Sequence, residues 1–238
     1  MTPSNYFVTG TDTEVGKTLV ASALILKMRG LFPHLRVGGF KPVVAGTYLN
    51  ASGKRCNEDL LSLIAASGLE NIQSDICPYI LDEPAAPHLV AHKMGLALSM
   101  TTILESLDNR QSQCDVVIAE GAGGFLVPLN DQELLADFAV HLNWPVVLVV
   151  GLRLGCLHHA LSTLESIEKR GLKLAGWVAN TIDARMGLMN ENIHDLQSRI
   201  QAPHLGVIPP LPLVLQKKPN MPYSVAAMEW ASQFLKLV

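Results

Sequence analysis

Phe7-Val8-Thr9-Gly10-Thr11-Asp12-Thr13-Glu14-Val15-Gly16-Lys17-Thr18 carries a short apolar strand, Tyr6 to Val8, into a tight loop and then a helix that opens at Gly16-Lys17-Thr18. That order is the layout of a phosphate-binding loop. Successive backbone N–H groups and the positive end of a helix face a polyphosphate, Lys17 reaches its outer phosphates, and the Thr18 hydroxyl can ligate Mg²⁺. Gly16 lets the main chain approach the anion with no Cβ in the way. The common pattern G-x-x-x-x-G-K-[ST] asks for glycine at position 11, where this chain has Thr11, with Gly10 one residue early. The strand–loop–helix context favours the phosphate loop over a plain βα turn whose lysine merely sits near a helix start.

The 238 residues suffice for one well-buried core, or at most two small domains. The chain is 49% hydrophobic and 16% charged, which argues against disorder. Its net charge of −3, with no basic run longer than a doublet such as Lys217-Lys218, leaves no footprint for nucleic acid or an anionic membrane surface. Mean hydropathy is positive, yet the longest apolar run, Trp144 to Leu152, is broken by Pro145 and falls short of the roughly 18 residues a span needs. Met1–Asn5 lacks a charged n-region and an apolar h-region, so no secretory signal is expected. Cys56, Cys77, Cys114 and Cys156 contain no C-x-x-C pair, which fits reduced thiols in a cytoplasm. His158 and His159 are adjacent, and helix neighbours point about 100° apart, a poor arrangement for chelating one ion.

Apolar β-branched runs alternate with helical patterns. Strands are expected at Tyr6–Thr9, Arg36–Phe40, Asp115–Ala119, Pro145–Val150, Leu174–Ala179 and His204–Ile208. Helices are expected at Lys17–Arg29, Glu58–Ser67, Thr101–Asn109, Gln132–Leu142, Cys156–Lys169, Gly187–Ile200 and Ser224–Leu237. Several strands are continuously apolar, among them Val116–Ala119 and Val146–Val150, as expected when helices cover both faces. The expectation is one α/β domain over residues 1–238, P-loop NTPase-like, with a mostly parallel central sheet flanked by helices on both faces. Lys41–Cys56 and the proline-rich Pro209–Pro222 read as functional loops.

In such sheets ligands lie beyond the carboxyl ends of the strands, and the notable polar residues fall there. Glu120 ends one strand and is followed by Gly121-Ala122-Gly123-Gly124, a position suited to holding magnesium beside an anion. Its plainer reading is a glutamate serving a helix cap or glycine-rich turn. Asp59 lies at a helix start, where a carboxylate gains about 0.3–1 kcal/mol from the dipole alone; only a magnesium site gives it a further role. Lys41, fixed by Pro42, could set a cation on a transferring phosphoryl group, or snorkel to the surface.

Thr9–Thr18, Lys41-Pro42-Val43, Glu83-Pro84 with Pro87-His88, Glu120–Gly124, Val149-Val150-Gly151, Leu154-Gly155-Cys156 and Gly176-Trp177-Val178-Ala179-Asn180, in that order, resemble the dethiobiotin synthetases from residue 6 to about 211. The shifted glycine of the phosphate loop is itself the form that family uses. The resemblance implies an ATP- and Mg²⁺-dependent cyclo-ligase of biotin synthesis, a homodimer, converting 7,8-diaminononanoate (7,8-diaminopelargonate) and CO₂ to dethiobiotin with ADP and phosphate. It implies Lys17 and Lys41 as catalytic cations and Thr18, Asp59 and Glu120 as metal ligands. It implies that Thr13, Glu14, Val15, Gly16, Lys17 and Thr18 cradle the triphosphate, with Gly121, Ala122 and Gly123 also on the nucleotide. Asn180 with Pro209, Pro210 and Leu211 would recognise adenine. Thr47 and the helix start Leu154, Gly155, Cys156 and Leu157, supplied by the partner subunit, would take the substrate.

This chain departs from the family pattern in three places. Ala45 precedes Gly46 where Ser or Thr is usual, with Thr47 two residues on as a substitute hydroxyl; His158 stands where asparagine is common; and the expected tyrosine near Asn192 is missing. The rival readings are a partition-type ATPase switch and a cobyrinate-type amide ligase. Against the first, residues 10–13 hold no lysine and the tail Ala226–Val238 sets a single Lys236 against Glu229. Against the second, no length remains for a glutamine-hydrolysing domain.

Overall fold

The computed structural model describes residues 3–237; Met1 and Thr2, which belong to the stretch read for a signal, and Val238, at the end of the tail, lie outside the described residues. The chain runs β1 (Tyr6–Gly10), α1 (Lys17–Leu31), β2 (Val37–Phe40), β3 (Val43–Ala45), β4 (Tyr48–Leu49), β5 (Arg55–Cys56), α2 (Glu58–Ser67) and β6 (Tyr79–Leu81). It continues through α3 (Pro87–Lys93), α4 (Met100–Gln113), β7 (Val116–Glu120), α5 (Leu135–Leu142) and β8 (Val146–Leu152). It closes with α6 (Cys156–Glu168), β9 (Leu174–Thr181), α7 (Met189–Arg199), β10 (His204–Ile208) and α8 (Val225–Ser232).

Among the described residues, six strands form one sheet in the order β10-β9-β8-β1-β7-β2, and every pairing within it is parallel. Each strand splits its apolar side chains between two cores, as the period of two requires. Phe7, Val117, Ala119, Val146, Leu148 and Val150 face one side with α4, α5, α6 and α7. Val8, Val116, Ile118, Val147 and Val149 face the other with α1, α2 and α8. Burial on both faces is why these strands read as unbroken apolar runs.

Several expected boundaries move. The segment Lys41–Cys56 is not a bare loop: β3 pairs in parallel with β6, and β4 pairs antiparallel with β5. The helix α3, opened by Pro87 at its first position, lies in a stretch where no element was expected. The helix expected from Gln132 begins at Leu135, because the Asn130 side chain accepts the amides of Gln132 and Glu133 and holds them in a turn. The last helix stops at Ser232, short of Leu237. The chain beyond it leaves the helix to dock on the sheet margin, the Lys236 amide donating to the Leu205 carbonyl at 2.7 Å. That tail covers an edge strand that would otherwise present unpaired backbone groups. No helix among the described residues is long and apolar enough to cross a membrane.

Candidate active site

The carboxyl ends of β1, β2, β7 and β9 bring the expected side chains together. Parallel pairing aligns Phe40 with Ala119, so the next residue along each strand, Lys41 and Glu120, meet at the sheet edge. Lys41 Nζ donates to Glu120 Oε1 at 2.6 Å and to Asp59 Oδ2 at 2.7 Å. The Thr18 hydroxyl, in the first turn of α1, donates to the same Glu120 Oε1 at 2.8 Å. Asp59 reaches this point because Asn57 caps α2, its side-chain oxygen accepting the amides of Asp59 and Leu60. The buried Asn57 also donates to the Gly46 carbonyl and takes Gln73 Oε1 on its own amide, pinning α2 to the chain after β3.

Electrostatics separate the members of this cluster. Burial pulls the Lys41 ammonium down, but Asp59 and Glu120 outweigh it and hold Lys41 above the usual lysine range. Burial pushes both carboxyls up. In Asp59 the Lys41 charge and its hydrogen bond win, leaving it below the usual carboxylate range. In Glu120, which is wholly buried, desolvation and the Asp59 charge win, leaving it raised. Burial, aided by the Lys41 charge, brings Lys17 down to about 8. Lys17 Nζ rests on the Asp12 carbonyl at 2.8 Å.

The phosphate loop has the form expected of it. Gly16 caps α1 at φ 90°, and a Cβ there would lie 2.2 Å from the Asn180 side-chain nitrogen. Asn180, near the end of β9, donates that nitrogen to the Val15 carbonyl at 2.9 Å. Register sets Ile208 beside Asn180, so Pro209, Pro210 and Leu211 leave β10 next to it. Thr13 and Glu14 are exposed at the loop tip, and a Cβ on Gly123 would lie 3.6 Å from the Thr13 hydroxyl. The Gly121 amide donates to the Val8 carbonyl, and Ala122 follows it half-buried. The strand-end glycines therefore flank the phosphate loop.

The substrate residues are more scattered. Thr47 is half-buried beyond β3, its amide on the Asp82 carbonyl, and none of the hydrogen bonds among the described residues ties its hydroxyl to Lys41. Gly155 caps α6 at φ 93° with no acidic residue in the first turn. Cys156 is buried with Sγ 3.9 Å from Asn192 Oδ1, Leu157 is half-buried, and Leu154 is 94% exposed. Reading the sequence missed Asn57, Arg153 and any role for Asp12 itself, although the alternation of S/T/D/N residues with helix starts could have singled out Asn57.

Among the described residues no three His, Cys, Asp or Glu side chains gather as a metal site, so a divalent ion here would draw on mixed oxygen donors. Those donors fit magnesium. The buried Glu120 Oε2 has no hydrogen-bond partner, and a hydroxyl and a second carboxylate stand beside it, a hard all-oxygen set.

Residues 4–218 match a family model described as an AAA domain. The chain is 48% identical over 206 residues to an ATP-dependent dethiobiotin synthetase BioD of Ralstonia nicotianae, covering 87% of this chain and 89% of that protein. It is 47% identical over 211 residues to the protein of the same name from Aromatoleum aromaticum, covering 87% and 91%. In fold it is similar to the septum site-determining protein MinD complexed with Mg-ADP from Pyrococcus horikoshii OT3, at TM-score 0.55 and 17% identity over 98% of this chain and 94% of that one. Cobyrinic acid a,c-diamide synthase from Mycobacterium smegmatis is similar at TM-score 0.52 and 16% identity, over 96% and 91%. At such identities the last two likenesses concern the fold alone.

Proposed function

The chain belongs to the ATP-dependent dethiobiotin synthetases of biotin biosynthesis, and we propose that it closes the cyclic urea of dethiobiotin on 7,8-diaminononanoate. One amine adds to CO₂ and loses a proton, giving a carbamate. A carbamate oxygen attacks the γ-phosphorus of ATP and ADP leaves, forming a carbamic-phosphoric anhydride. The second amine, losing its proton, attacks the carbamoyl carbon, expels phosphate and closes the ring. A carbamate is a poor electrophile, so phosphorylation supplies the leaving group. Ring closure is intramolecular, where effective molarities reach about 10⁵–10⁸ M.

Phosphoryl transfer asks for positioning and cations more than covalent chemistry. In this reading Lys17 and Lys41 balance charge on the transferring phosphoryl group, and Thr13–Thr18 cradle the triphosphate against Gly121, Ala122 and Gly123. Thr18, Asp59 and Glu120 would hold Mg²⁺, which when bound neutralises charge on the phosphate oxygens. Asn180 offers both a donor and an acceptor to adenine, beside Pro209–Leu211. The α6 start at Leu154–Leu157 takes the substrate carboxylate, supported by a helix start that carries no side-chain cap and no acidic residue in its first turn. The bare Leu154 side chain supports a homodimer that covers this end. All four cysteines are free, which favours the reducing cytoplasm.

The observation that carries the proposal is the meeting of Lys41, Thr18, Asp59 and Glu120 within hydrogen-bond reach at one strand edge. The test is phosphate release by purified protein given MgATP, bicarbonate and 7,8-diaminononanoate, with each omitted in turn. Release is expected only when all are present, and release indifferent to the diamine would overturn the reading.

A further inference from the structure

Arg153 lies between β8 and α6, directly before the Leu154–Leu157 helix start, and its side chain turns back to the phosphate loop. Its guanidinium pairs with Asp12 Oδ2, and His159 Nδ1, one turn into α6, stands 4.0 Å from the same oxygen. Two further oxygens of Asp12 are engaged too. Oδ1 accepts the Thr13 amide at 2.7 Å, and the backbone carbonyl accepts Lys17 Nζ at 2.8 Å. At its other end, Arg153 offers its carbonyl to the Cys156 amide at 3.0 Å. A continuous chain of contacts therefore runs from the first amide of α6 through Arg153 and Asp12 to the ammonium of Lys17.

Stability does not account for this pair. Its side chains are 44% and 40% exposed, and ion pairs so open to water contribute little to folding. The loop it grips does need holding, because Glu14 sits at φ 59°, a conformation unfavourable for a residue with a Cβ.

We propose that Arg153 is a positioning residue which couples occupancy of its own subunit's α6 start, by the carboxylate of the diamino acid held in the partner subunit's site, to nucleotide affinity at its own phosphate loop. This rests on the function proposed above. By linkage the effect is reciprocal: whatever the diamino acid does to nucleotide affinity, the nucleotide does to the diamino acid.

The test is calorimetric titration of the full-length protein with magnesium and a non-hydrolysable ATP analogue, without bicarbonate, in the absence and presence of saturating 7,8-diaminononanoate. The native protein is expected to bind the analogue about fivefold tighter or more when the diamino acid is present. Arg153→Ala and Arg153→Gln should bring that ratio below about twofold while both ligands still bind alone. Arg153→Lys should restore part of it, since lysine keeps the charge without the guanidinium fork. Asp12→Asn added to Arg153→Ala should cost nothing further in the ratio. A structural role alone would lower melting temperature and leave the ratio intact. An intact ratio in Arg153→Ala, or no ratio in the native protein, overturns the proposal. Diamine-dependent phosphate release by the native protein is scored separately, so failure of the enzymatic reading would be seen as such.

Discussion

Lys41 Nζ and Glu120 Oε1 stand 2.6 Å apart although 79 residues separate them, because β2 and β7 are parallel neighbours whose ends are in register. Asp59 also accepts from this lysine, and removing the lysine would leave the buried Glu120 carboxylate facing the part-exposed carboxylate of Asp59.

Lys41→Ala should therefore lose both turnover and stability. Loss of a cation on the transferring group is expected to lower kcat by about 10²–10³. Leaving its partners unpaired should cost roughly 3–5 kcal/mol, offset where Glu120 takes up a proton. ATP should still bind by calorimetry, since Lys17 and the loop amides remain. Retained turnover would remove Lys41 from the mechanism.

Lys17 gives a pH signature. Its value falls to about 8 in the fold, against about 10.4 in an unfolded chain. The folded state thus holds fewer protons than the unfolded one between those values, and this residue's contribution to stability rises with pH across that window. Below pH 8 it is a constant penalty. A bound triphosphate favours the charged ammonium, so nucleotide binding should take up about half a proton at pH 8 and almost none at pH 6. Titrations in buffers of different ionisation enthalpy measure this directly; equal uptake at both pH values would contradict it.

Gly16→Ala should disable the nucleotide site. The new Cβ would press on the Asn180 side chain at 2.2 Å with the backbone at φ 90°, a strain of about 1–3 kcal/mol. The expected result is a lower melting temperature and at least a tenfold rise in KM for ATP.

Ala45→Ser restores the hydroxyl that relatives of this pattern place before the glycine. ATP binding should be unchanged and KM for 7,8-diaminononanoate should fall a few-fold. An unchanged or higher KM would assign that contact to Thr47 or to no residue at all.

The proline-rich segment after β10 is tied to α2 by Lys217 Nζ on Glu58 Oε1 at 2.5 Å and by the Tyr223 amide on Ser62 Oγ at 3.0 Å. Lys217→Ala should cost under about 1 kcal/mol in stability, the pair being part-exposed. Because Glu58 adjoins Asp59, the nucleotide off-rate should rise a few-fold in stopped flow.

Much of the site was legible because its signals are short-range. The run Gly10–Thr18, the continuous apolar strands and the polar residues just past them depend on local spacing and on burial of both sheet faces. Asn57 escaped notice because its cap is ordinary until its side chain is seen on Gly46 and its amide on Gln73. The tail beyond Ser232 reads as helix because its apolar pattern persists, while its backbone is drawn away by Leu205 at the open margin of β10.

The amino-acid order alone settled that a strand, a tight loop and a helix would follow one another with Lys17 at the helix start, since each step is governed by residues within a few positions of one another. Which carboxylates would share Lys41, and that Asp12 would answer to Arg153 across 141 residues, were decided only in three dimensions. Parallel register and loop packing bring such groups together, and no pattern along the chain encodes a distance through space.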